Sequence, residues 1–78
     1  MAPDARTWVD RLSEALGVGR LTEEEVAALL EVAGTAAHAS ERTAAPLTCW
    51  LAAKAGLSAA EALAAARDLE SALGHASA

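Results

Sequence analysis

The side chains with the most reactive chemistry cluster between positions 38 and 49: His38, Arg42, Thr48 and Cys49. A histidine can transfer a proton or bind a metal near neutral pH, and a cysteine thiolate is a nucleophile. A zinc site needs about four ligands, and a cysteine nucleophile needs a base held by a third group. With one cysteine and two histidines in the sequence, we expect no catalytic residue, no cofactor and no metal site.

Each of the two most reactive side chains, His38 and Cys49, also has an interpretation in which it only supports the fold. His38 lies near the end of a predicted helix, where the helix dipole stabilises a protonated imidazole. Glu41 follows three residues later, which reverses the Glu-x-x-His order of di-metal helical bundles. Cys49 is expected to be a small, half-buried apolar residue near the start of the next helix.

Two hypotheses for function follow from this stretch. In the first, the segment from His38 to Thr48 is part of a surface that binds a protein, with Arg42 as a directional charged donor. In the second, His38, Arg42 and Thr48 surround a small molecule or an anion at the junction of the second and third helices. Pro46 removes one N–H from that helix start, and the formal charge of −5 also opposes anion binding.

Helix start signals recur along the chain. Asp4 or Thr7 can open a first helix, and Pro46 suits the first turn of a third. The T-x-x-E and S-x-x-E patterns, Thr22 with Glu25 and Ser58 with Glu61, are capping boxes that open a second and a fourth helix.

Glycines mark most of the helix ends. Gly17, Gly56 and Gly74 are predicted to end the first, third and fourth helices. The second helix is predicted to end between His38 and Arg42, and residues 1–4 and 75–78 are expected to fray.

The apolar residues follow the helical period in every segment. The main ones are Trp8, Val9, Leu12, Leu16, Val26, Leu29, Leu30, Leu47, Trp50, Leu51, Leu69 and Leu73. No segment alternates with the period of a strand. The pattern predicts one all-α domain over 1–78, a compact antiparallel bundle of four short helices, with Trp8 and Trp50 among the residues that fill one dry interior.

Composition excludes several classes of protein. Eleven acidic residues against six scattered basic ones argue against nucleic-acid binding. No uninterrupted apolar run of about 18 residues is present, so we expect no membrane span, and without a recognisable secretory signal we expect a cytoplasmic protein. Acyl carrier proteins are similarly small and acidic, but the Asp-Ser-Leu motif of their second helix is absent, since Thr22 opens that helix here.

The order of these segments resembles a small, functionally uncharacterised actinobacterial family. In that family an early Trp is followed by a helix ending in Ala-His, then Arg, then Ala-Ala-Pro-Leu-Thr before an apolar helix. The matching residues are Trp8, Ala37 with His38, Arg42 and residues 44–48. The chain departs from the pattern at Gly34 and Thr35, where an Arg-Asp pair is expected, and at Thr43, where a proline is expected.

Proteins resembling this family occur alone or attached to molybdenum-cofactor guanylyltransferase-like enzymes. The resemblance therefore implies a non-catalytic accessory or interaction domain linked to molybdenum-cofactor biosynthesis, with such an enzyme as its partner. Homodimerisation is left open by the sequence, because an alanine-rich helix face can pair with itself.

Overall fold

The computed structural model describes residues 2–77, and the side chains of residues 2–74. It contains four helices: α1 (Ala5–Leu16), α2 (Glu23–Ala39), α3 (Ala44–Lys54) and α4 (Ala59–Ser77). No strand occurs in residues 2–77. The predicted all-α bundle of four helices is confirmed.

The predicted starts of α1, α2 and α4 are confirmed by capping hydrogen bonds, whereas the start of α3, with Pro46 in its first turn as predicted, has no side-chain cap. Asp4 caps α1, because its Oδ1 accepts from the Thr7 N–H at 2.8 Å. In the α2 capping box the Glu25 N–H donates to Thr22 Oγ1 at 3.0 Å, and the Thr22 N–H donates to Glu25 Oε1 at 2.8 Å. These bonds satisfy backbone donors that the first turn of a helix leaves unpaired.

The start of α4 repeats the same arrangement. The Ser58 N–H donates to Glu61 Oε1 at 2.8 Å, and the Glu61 N–H donates to Ser58 Oγ at 3.1 Å. Hydrogen bonds from the Ser58 backbone and side chain favour the ionised carboxylate and lower the pKa of Glu61 from its ordinary value of 4.5.

Two of the three predicted glycine ends are confirmed. Gly17 and Gly56 have φ of 71° and 76°, the left-handed conformation in which glycine has no Cβ penalty. Helix α2 ends at Ala39, inside the predicted interval. The prediction for Gly74 is wrong, because α4 continues to Ser77; a helix tolerates an interior glycine at a cost of about 1 kcal/mol. Fraying at 75–78 stays a prediction, since Ala78 lies outside the described residues.

Helix α2 is the centre of the bundle and packs against both α3 and α4. The buried hydrophobic residues are Val32 on α2, with no exposed surface, and Ala62 on α4. The middle of α4 is tied to α2 by an exposed ion pair between Arg67 and Glu31. The packed interior of the described residues is therefore small.

Helix α1 lies at the edge of this unit. Among the described residues, no Cα of α1 comes within 8 Å of a Cα in α2, α3 or α4. The Arg6 guanidinium donates to the Leu21 carbonyl, and Arg20 donates to Glu14 at 2.9 Å. These contacts hold α1 against residues 17–22, and the molecule extends 44 Å along its longest axis.

The expectation of one dry interior filled by both tryptophans is wrong. Trp8 is 60% exposed and Trp50 is 71% exposed. On α3 the half-buried residues are small ones, among them Ala45, Cys49 and Ala52. Small side chains allow a close approach of helix axes, so this face packs inward and leaves the bulky side chains outside.

Within the described residues, no helix combines the length and the apolar character needed to cross a bilayer.

Candidate functional site

The three predicted interaction residues lie on three successive segments of the chain, α2, the α2–α3 connection and α3. His38 is exposed on the last turn of α2, and Arg42 is exposed in the connection to α3. Thr48 is half-buried on α3, and its hydroxyl donates to the Ala44 carbonyl at 2.8 Å. His38 and Arg42 remain accessible to a partner, and their role in an interaction stays a prediction.

Thr48 is the one predicted site residue that lines a cleft where α2, α3 and α4 meet. The volume of this cleft is about 130 Å³. Its lining residues are Thr35, Ala36, Ala39, Ser40, Ala44, Thr48, Ala66, Leu69, Glu70 and Leu73. The charged side chain among them is a carboxylate, that of Glu70, so the electrostatics of the cleft disfavour an anion.

Cys49 is half-buried on the inner side of α3, as the sequence predicted. Among the described residues, no group of three His, Cys, Asp or Glu side chains converges as a metal site requires. The side chain of His75 lies outside the described residues.

The outer side of α3 carries a compact apolar surface formed by Leu47, Trp50 and Leu51, here called the α3 patch. Leu47 and Leu51 are each 64% exposed. Positions three and four apart on a helix are neighbours, so these side chains form one continuous surface. Lys54 lies three and four residues after Leu51 and Trp50 and borders the patch.

A second apolar surface lies on α1. Trp8, Leu12 and Leu16 recur every four residues, and all three are exposed. Together they form a ridge along the helix, here called the α1 ridge. Arg11 lies beside the ridge on the same helix.

Next to the ridge, an open groove separates α1 from α2 and α3. Its volume is about 440 Å³. The lining is almost wholly apolar and consists of Ala5, Arg6, Val9, Leu21, Val26, Leu29, Leu30, Ala33 and Cys49. Leu30 lines this α1–α2 groove and is also largely exposed. Ala5 and Val9 of the groove lie three residues before Trp8 and Leu12 of the ridge, so the groove and the α1 ridge adjoin along one side of the helix.

Basic side chains divide into paired and unpaired groups. Arg6, Arg20 and Arg67 form ion pairs with acidic residues. Arg11, Arg42 and Lys54 form no ion pair within residues 2–74. Arg11 borders the α1 ridge and Lys54 borders the α3 patch, so two of these three cations lie beside apolar surfaces, and Arg42 lies in the connection before α3.

Sequence reasoning placed the apolar residues of α3 inside and therefore missed the α3 patch. A signal was present, because Ala45, Cys49 and Ala52 form their own stripe at positions i, i+4 and i+7. A helix with one stripe of small residues and another of large residues has two candidate inner faces. The small stripe is the inner one here.

These observations define the class: a small all-α domain with capped helices, little interior and two exposed apolar surfaces. The family described as "Domain of unknown function (DUF6457)" matches residues 2–78. The chain belongs to this family, in agreement with the predicted resemblance to an uncharacterised helical domain family. No curated protein and no solved structure matches it.

Proposed function

We propose that this chain is a non-catalytic accessory domain that binds a protein partner through the α3 patch. The observation that carries this proposal is the exposure of Trp50 between two exposed leucines. Burying such a surface against a partner is favourable, and tryptophan is among the residues that contribute most to binding energy. The segment from His38 to Thr48 leads into this patch and includes Leu47, so the predicted interaction segment is continuous with it.

The proposed partner is a molybdenum-cofactor guanylyltransferase-like enzyme in the cytoplasm of an actinobacterium. This part of the proposal rests on the resemblance of residues 44–48 and their neighbours to domains found beside such enzymes. The charges near the patch suggest what the partner offers: Arg42 and Lys54 have no acidic partner within the described chain. A partner surface with an apolar centre and an acidic rim would match them.

Binding of the purified domain to the guanylyltransferase-like enzyme of the same genome tests the proposal. We expect Trp50→Ala to weaken the affinity by about 30-fold, equivalent to about 2 kcal/mol. Leu69→Ala on α4 is the matched control, because Leu69 is similarly exposed but lies on another helix; its affinity should equal that of the wild type. No binding at about 100 µM, or equal losses in both variants, would contradict the proposal.

The alternative is a small-molecule module at the junction of α2 and α3, and one observation favours it. The cleft of about 130 Å³ lies at that junction and includes Thr48. Because Glu70 supplies the charge there, an uncharged ligand fits this cleft better than an anion. A thermal-shift screen that sets uncharged pterins against anionic nucleotides tests it: an uncharged ligand that raises the melting temperature of the wild type but not of Thr48→Val would favour this alternative.

A further inference from the structure

The chain exposes more surface than a folded monomer of its size normally does. Its accessible surface is 5990 Å². By the usual scaling of surface with mass, a monomer of 7.9 kDa exposes about 4,400 Å². The excess over that value is about 1,600 Å².

That excess is large enough for a stable interface. A specific protein–protein interface buries about 800 Å² on each partner, and obligate homodimers bury more. The weakest packing in the described chain is that of α1, which makes no close backbone approach to another helix.

The apolar face of α1 has the shape that pairing between identical chains requires. It carries a protruding element, the α1 ridge of Trp8, Leu12 and Leu16, and a receiving element, the α1–α2 groove of about 440 Å³. A two-fold symmetric interface uses the same patch on both subunits, so the patch must be complementary to itself. A ridge beside a groove meets this condition, because each ridge can enter the groove of the other copy.

We propose that the α1 ridge and the α1–α2 groove form the interface of a homodimer. A second copy is the occupant that the small interior favours. Val32 and Ala62 are the buried hydrophobic residues of the described chain, so covering the exposed face of α1 adds substantially to the apolar surface that the chain buries. A second copy is present wherever the chain itself is present. This interface is separate from the α3 patch and does not depend on the proposed function.

The mass of the protein in solution, measured by sedimentation or light scattering at about 50 µM chain, tests the proposal. We expect twice the 7.9 kDa of one chain. Leu12→Glu places a charge in the centre of the ridge and should yield a monomer that keeps its helical circular dichroism spectrum. Leu51→Glu in the α3 patch is the matched control, because it makes the same change at another exposed leucine, and it should remain a dimer.

Leu16→Glu, at the more exposed end of the ridge, provides a second test if Leu12→Glu unfolds, and it too should yield a folded monomer. A wild-type protein with the mass of one chain would overturn the proposal. So would a dimer that survives Leu12→Glu and Leu16→Glu, or one that Leu51→Glu dissociates to the same extent.

Discussion

At the scale of single residues, the polar side chains that open α1, α2 and α4 are engaged with the backbone of their own helices. Thr22 and Glu25 satisfy each other's backbone N–H groups, and Ser58 and Glu61 do the same. The capping bonds of Glu61 also lower its pKa. Folding alone therefore explains why the sequence has these four capping residues.

Replacing Thr22 tests this interpretation. Thr22→Ala removes the acceptor for the Glu25 N–H, and we expect it to lower the free energy of unfolding by about 1 kcal/mol. Thr43 stands at the corresponding position of α3 but makes no side-chain capping bond. Thr43→Ala is therefore the control and should change stability much less in urea denaturation. Equal losses in the two variants would contradict the assigned role of Thr22.

At the scale of helices, the size of a side chain decides which face turns inward. On α2, Val32 is fully buried, whereas on α3 the largest side chain, Trp50, is mostly exposed. Burial rather than size should therefore determine how much each residue contributes to stability.

We expect Val32→Ala to lower the free energy of unfolding by about 2 kcal/mol, because it leaves a cavity in a small interior. Trp50→Ala removes a much larger side chain but should change stability by less than about 0.5 kcal/mol, as exposed positions usually do. Thermal or urea denaturation of both variants checks the order. A larger loss for Trp50→Ala would place that ring in a packed environment and contradict the α3 patch.

The sequence predicted the helices and most of their ends because those signals are local. A capping box or a left-handed glycine is determined by residues within one turn of it, as Thr22 and Gly17 show. The inner face of α3 could not be predicted in the same way, since it depends on which neighbour α3 meets. Sequence proximity likewise suggested a site at His38, Arg42 and Thr48, but the structure leaves His38 and Arg42 exposed and places only Thr48 in the cleft.

At the scale of the whole molecule, stability should depend on protein concentration. If folding is coupled to pairing through α1, mass action favours the folded state as the concentration rises. We expect the melting temperature of the wild type to increase by about 5 °C for each tenfold increase in concentration, given typical unfolding enthalpies for two chains of this length. The melting temperature of Leu12→Glu should not depend on concentration. Calorimetry over a hundredfold range measures both.

Because the two apolar surfaces are separate, a dimer paired through α1 would carry two copies of the α3 patch. Cys49 lines the α1–α2 groove, whereas Leu47 and Leu51 lie two positions to either side of it, across the same helix. Pairing through α1 therefore leaves the outer side of α3 uncovered in both copies. The assembly would therefore be bivalent: a partner that itself carries two binding sites within reach would be held at a high effective concentration once its first site is occupied, and modest single-site affinity would become tight attachment through avidity.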